Sequence, residues 1–156
     1  MGKIKIAGLR QLTNLAQITI APFPLAAYHL DFILSPLATN GINLEFFAAQ
    51  GISSESMGLI LAVKKSHIAA ALGILQEKKK IWPAGEISHQ EGVAMLSLFP
   101  HGKQALVISN FISALQEKGI RLLATNLSLS AISALMEEIY IPEALSSLSD
   151  YFYLPG

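Results

Sequence analysis

The apolar positions of this chain repeat. Leu30, Ile33, Leu34 and Leu37 fall at the i, i+3, i+4, i+7 spacing that lines one face of a helix, and Gly41-Ile42 follows. Ile108, Phe111, Ile112 and Leu115 reproduce the stripe at one constant offset, and Gly119-Ile120 stands at that same offset. A glycine just past an amphipathic stripe supplies the left-handed residue that ends a helix. Stripe and stop recurring together mark two copies of one supersecondary unit. A second pair agrees: Ile68, Ala71, Leu72 and Leu75 match Ile141, Ala144, Leu145 and Leu148 at a smaller constant offset. The offset shrinks because the hairpin of the second copy has the shorter turn.

Taken in order, the alternation of Lys3-Ile4-Lys5-Ile6 predicts a half-buried strand over 3–8, ended by Gly8. A second strand over 16–20 puts Ile18 and Ile20 on one face, and Pro22 and Pro24 stop it. A helix is expected over 25–40, with a kink or late start because Pro36 lacks a donor N–H. Strands over 43–49 and 57–63 flank a polar turn from Gln50 to Ser56. The second is apolar on both faces, as a central strand is. Ser66 is the expected cap of the next helix, and Lys78-Lys79-Lys80 suits the negative end of its dipole. A strand over 86–89 closes a βαββαβ unit. The second copy starts at Val93, with a strand over 94–98, a helix over 106–118 and strands near 122–127 and 131–137. Its last helix carries Pro142 in the favoured first turn.

After that helix only Tyr151 to Gly156 remain, too few for a full fourth strand, while the first copy has a strand too many at its start. The simple solution is that 3–8 crosses over and completes the second copy. The expected fold is α+β: two ferredoxin-like βαββαβ units side by side, their sheets joined edge to edge under helices on one face. Their spans are 9–92, and 3–8 plus 93–156. Unpaired sheet edges call for a partner, so a homodimer is expected.

Composition narrows the function. Hydrophobic residues make up 52% of the 156 and charged ones 14%, so the core is large and surplus apolar surface points to an oligomer interface. No apolar run is long enough to span a bilayer. A formal net charge of zero argues against a nucleic-acid partner held through phosphates. The absence of cysteine excludes disulfides and thiolate metal sites. Met1 to Lys5 leads into no apolar signal core, so a cytoplasmic address is expected.

Catalytic chemistry finds no footing. His29, His67, His89 and His101 lack the close spacing of metal ligands, and no serine is placed for His29 and Asp31 to activate. Neither G-x-G-x-x-G nor a Walker-type loop occurs. No catalytic residue, metal or cofactor is expected, and the chain is read as no enzyme. Asn43 stands out, since its amide offers donors and an acceptor to the carboxylate and ammonium of a free amino acid. It equally suits a turn residue after Gly41. Gln50 and Glu45 could add polar contacts, whereas Phe23, Phe46 and Phe47 read first as core or interface.

The residues that carry a resemblance are Asn40-Gly41-Ile42-Asn43-Leu44-Glu45, their counterpart Lys118-Gly119-Ile120-Arg121-Leu122-Leu123, and the late stretch Leu127-Ser128-Leu129-Ser130-Ala131-Ile132-Ser133. With the duplicated βαββαβ pattern and the crossed-over first strand, the chain resembles the tandem ACT regulatory region of aspartate kinases, without the kinase domain. That resemblance implies an allosteric sensor that binds an amino acid or similar effector between adjacent units, and a partner enzyme it regulates. The implied ligand set is Asn43, Gly41, Phe23, Tyr28 and Gln50. The family usually places Pro-Gly before the first helix; here Ala27-Tyr28 and Ala105-Leu106 stand there, and Arg121 replaces the asparagine of the first copy. Effector binding is therefore expected in the first copy. The alternative is a protein-interaction subunit that keeps the fold and has lost the ligand.

Overall fold

Among the described residues, the alternating stretches of the sequence form seven strands and the striped ones four α-helices. A computed structural model describes residues 2–24, 30–81, 85–128 and 130–154. The elements run β1 Ile4–Pro24, α1 Asp31–Thr39, β2 Phe46–Gly51, β3 Ser56–Lys64, α2 Ile68–Lys79, β4 Glu86–Pro100, α3 Gln104–Glu117, β5 Ala124–Leu127, β6 Ile132–Glu137, α4 Ile141–Leu148 and β7 Phe152–Tyr153. The chain divides into unit 1, Met1–Thr13 with Gly92–Gly156, and unit 2, Asn14–Glu91. The boundary in β1 thus falls beyond the Gly8 position expected from the alternation.

In unit 2, β3 lies between β2 and β1 and pairs antiparallel with both. The core faces of β1 and β3 present Ile18, Ile20 and Phe23 and Leu59, Leu61 and Val63, with the two-residue period of a pleated strand. Ile33 and Leu37 of α1 and Ala71 and Leu75 of α2 close over them. Pro22 was expected to stop the strand. Instead the register shifts between Ile20 and Phe23, a bulge that takes up the residue with no N–H and returns Phe23 to the core face. Ser66 does not cap α2 either. Lys65–His67 first closes a 3-10 turn, so Ser66 sits inside that turn and His67 precedes the helix, without a side-chain cap bond.

Unit 1 repeats the plan. Ala94, Leu96 and Leu98 of β4 and Ile132, Ala134 and Met136 of β6 face Val107, Phe111 and Leu115 of α3 and Ala144 and Leu148 of α4. The start of β1 completes it: Ile4, Ile6 and Leu9 pack on this core, and Ile4 and Lys5 pair in parallel with Phe152 and Tyr153 of β7. The opening strand is therefore lent to the second copy. The short tail contributes β7 beside it, with Phe152 fully buried. Ser147 Oγ donates to the Ala114 carbonyl at 2.5 Å, tying α4 to α3. The Tyr151 hydroxyl donates to the Glu117 carboxylate, and this bond is the main cause that raises the phenol pKa.

Strands expected to be separate are continuous. β1 takes in both 3–8 and 16–20, and β4 both 86–89 and 94–98. Each long strand has a left-handed residue where it passes from one unit to the next, Asn14 at φ 57° and Gly92 at φ 68°. Asparagine and glycine are the residues that adopt that conformation most readily. Among the described residues no helix is long and apolar enough to cross a membrane.

The repeated Gly-Ile pair is a helix stop in both copies. The Gly41 N–H donates to the Ala38 carbonyl at 3.0 Å and the Ile42 N–H to Leu37 at 2.9 Å; the Gly119 N–H donates to Gln116 at 2.9 Å and the Ile120 N–H to Leu115 at 3.1 Å. These are the paired bonds of a Schellman motif, with a left-handed glycine and an apolar residue after it that packs back on the last turn.

Three outcomes test this account. Gly41→Ala and Gly119→Ala, at φ 72° and 69° with open space around each glycine, should each lower stability by about 1 kcal/mol through backbone strain alone. Gly73→Ala, in the exposed interior of α2 with open space around it, should raise stability by up to about 1 kcal/mol. Urea denaturation of the three variants reads the opposite signs. Phe111→Ala, which empties a fully buried position, should cost about 3–5 kcal/mol in the same measurement.

Candidate functional site

The expected ligand residues of unit 2 lie at two ends of its sheet. At one end α1 is cut short by its own chemistry. Pro36 offers a carbonyl that accepts both the Asn40 backbone N–H at 3.1 Å and the Asn40 Nδ2 at 2.7 Å. Gly41 then reverses the chain and Ile42 buries, leaving Asn43 exposed at the entry to β2. The Glu45 N–H donates to the Ala62 carbonyl at 2.8 Å, and Phe46 stands opposite Ala62, which in turn stands opposite Gln17 of β1. Asn43 and Gly41 belong to this end.

At the other end Gln50 stands opposite Gly58, Gly51 opposite Met57, and Met57 opposite Phe23. Gln50 is exposed, and Phe23 is fully buried among Ile20, Leu59 and the helix residues of the core. Asn43 and Gln50 are separated along a strand that advances roughly 3.3 Å per residue, so the two amides are held far apart. Tyr28, the remaining member, lies outside the described residues, as do Ala27 and His29. The counterpart positions in unit 1 show the same layout. Arg121 follows the Gly119 stop, and Leu106 in the first turn of α3 keeps 41% of its surface exposed.

Among the described residues, the buried Gln17 Oε1 and His67 Nδ1 lack hydrogen-bond partners. Gln17 alternates with Ile18 and therefore points to the sheet face away from the helices. No group of three or more histidine, aspartate or glutamate side chains is placed to hold a metal among the described residues. The Ser53–Ser56 turn is closed on itself by an Oγ–Oγ contact of 2.9 Å and by the Glu55 N–H donating to Ser53 Oγ.

The alternation and stripes left one feature unread. Within unit 1 a cleft of about 430 Å³ opens between the start of β1 and the first turns of α3, with Lys3, Lys5, Lys103 and Leu106 in its lining. Lys103 adopts φ 52°, a left-handed conformation that no stripe or spacing signals. The legible sign was the pair of lysines on one face of the opening strand.

Comparison with known proteins places this geometry. No family model matches the chain. Over 153 residues, 97% of the chain, it is 22% identical to the aspartokinase of Bacillus sp. strain MGA3, and over 151 residues it is 20% identical to that of Geobacillus stearothermophilus. It spans 37% and 36% of those proteins' lengths. Among solved structures, the regulatory subunit of aspartate kinase from Thermus thermophilus, in its ligand-free form, matches with a TM-score of 0.79 at 19% identity, covering 95% of this chain and 99% of that one. Aspartate kinase from Synechocystis matches with a TM-score of 0.82 at 19% identity, over the whole of this chain and 29% of that one. Aspartokinase III of E. coli in complex with lysine and aspartate matches with a TM-score of 0.61 at 16% identity, over 95% of this chain and 33% of that one. The duplicated α+β fold of this chain, with its opening strand lent to the second copy, is the fold of the tandem ACT regulatory region of aspartokinases.

Proposed function

We propose that this chain is a non-catalytic regulatory module that binds a free amino acid and passes the binding on to a partner enzyme as a change in packing. The observation that carries the reading is the match to a regulatory subunit of aspartate kinase, which takes in 95% of this chain and 99% of that one. The solved E. coli relative held lysine and aspartate, which makes amino acids the first ligands to try. Unit 2 is the binding unit in this reading. Asn43, exposed past the Gly41 stop, supplies an amide that can donate to a carboxylate and accept from an ammonium. Gln50 and Phe23 mark the opposite end of the same unit, so a ligand touching Asn43 would leave them to a second contact or to packing.

The module works as a homodimer in this reading. Among the described residues β2 and β5 each have a single neighbour in the sheet, and edges of this kind can be finished by pairing with a second chain. An alternative has one observation in its favour: the bulky Leu106 stands in the first turn of α3, where the resemblance would have an effector approach open backbone. In that case the fold serves only to hold a protein partner.

A thermal-shift screen against the common amino acids separates the two. A ligand selective for the folded chain at about 100 times its Kd adds roughly 2.7 kcal/mol, which for a chain of this size raises Tm by several degrees. At least one amino acid should do so, and Asn43→Ala should abolish the rise while Gln50→Ala keeps it. No response at millimolar concentrations would leave the interaction subunit as the function. Light scattering should give twice the 16.8 kDa of one chain.

A further inference from the structure

The helices of unit 2 are held by fewer directional bonds than those of unit 1, and the difference sits at positions that the repeat makes equivalent. α1 is the counterpart of α3, yet α1 runs 9 residues and α3 14. α1 buries Ile33 and Leu37, with Phe32 and Leu34 partly buried beside them. α3 buries Val107, Phe111, Ala114 and Leu115, with Ile108 beside them. Pro36 stands inside α1 without the N–H that the Phe32 carbonyl would accept, so the shorter helix also lacks a rung. A helix of this length is marginal without packing. In unit 1 the Ser147 hydroxyl donates to the Ala114 carbonyl and the Tyr151 hydroxyl to the Glu117 carboxylate, two ties onto α3. The equivalents of Ser147, Ala114, Tyr151 and Glu117 in unit 2 are Ile74, Pro36, Lys78 and Thr39, which repeat neither bond. Among the described residues no side-chain hydrogen bond joins α1 to α2; Lys78 Nζ instead lies 4.7 Å from the centroid of the Phe32 ring.

We propose that α1 is a switch element, which leaves the sheet of unit 2 in a local opening while the strands of that unit and the whole of unit 1 stay folded. The opening stands on the contacts just described; its use as a switch rests on the function proposed above. Opening takes Ile33 and Leu37 out of the core and breaks the bonds by which the Gly41 and Ile42 N–H groups close the last turn. Asn43 follows directly and is exposed, so a ligand held there fastens the chain where α1 ends and is bound better with α1 docked. Such a ligand shifts the population toward the docked state by the ratio of its affinities for the two. α3, longer and tied to the segment that carries α4, is the fixed counterpart. The signal is then whether α1 lies on its sheet.

Hydrogen exchange of the full 15N-labelled chain tests the opening without a ligand. The amides of Leu37, Ala38 and Thr39 are compared with those of Leu115, Gln116 and Glu117, which hold the same places before the Gly119 stop. Corrected for intrinsic rates, the first set should exchange about tenfold faster or more. Low urea should speed the second set and barely change the first, because a local opening exposes little surface. Pro36→Ala restores the missing donor and should slow the α1 set about tenfold or more. Equal protection of the two sets, an equal response to urea, or an α1 set that Pro36→Ala leaves unchanged would overturn the proposal. An amino acid that raises Tm should, at about 100 times its Kd, slow the α1 set about tenfold or more. A rise in Tm with the α1 set unaffected would sink the switch and keep the binding module. A screen in which no amino acid raises Tm removes the function proposed above and the switch with it, while the ligand-free exchange still decides the opening.

Discussion

The structure depends on a loan made across the length of the chain. The core of unit 1 is built from residues after Gly92, yet it is sealed by Ile4, Ile6 and Leu9 from the other end of the sequence. Those three residues pack on the same core that the buried faces of α3 and α4 share. Closing so long a loop costs conformational entropy, but that cost grows only with the logarithm of loop length. The parallel pairing of Ile4 with Phe152 and Lys5 with Tyr153 then fixes the register. Unit 2, in contrast, is drawn from one continuous stretch, and its strand pairs are shorter in sequence. Folding order should follow that difference, because local pairings form before distant ones.

Much of this was readable from residue types. The helical stripes gave the faces of α1 to α4, because an amphipathic helix has one way to bury a 3.6-residue repeat. Gly41-Ile42 and Gly119-Ile120 marked the helix stops, since a Schellman motif demands a left-handed residue followed by an apolar one. What could not be read was continuity. Asn14 and Gly92 look like turn residues in sequence, and only the pairing of flanking positions reveals them as single left-handed steps inside strands. Pro22 misled for the same reason: whether a proline stops a strand or sits in a bulge is decided by the neighbouring strand, not by proline itself.

The candidate site was less legible than the fold. Asn43 could be singled out by its chemistry, and Gly41 by its position. But the separation of Asn43 from Gln50 follows from the direction of β2, which residue types do not announce. The lysine cleft is the reverse case. Lys3 and Lys5 read as the wet face of a strand, and they are that; the sequence has no way to say that Lys103 and Leu106 stand beside them. Sites assembled from distant segments are invisible to periodicity, which sees only one element at a time.

The borrowed strand also bears on how such a molecule can be inherited. The repeat in the sequence and the repeat in space are out of step by one strand. An exchange of genetic material near Gly92 would therefore carry unit 2 whole but split unit 1, and each product would inherit an opening strand selected against a different core. Substitutions at Ile4, Ile6 and Leu9 must then keep pace with changes far downstream, in Phe152 and the helices it packs with. Over generations the two ends of the chain are obliged to evolve as one piece.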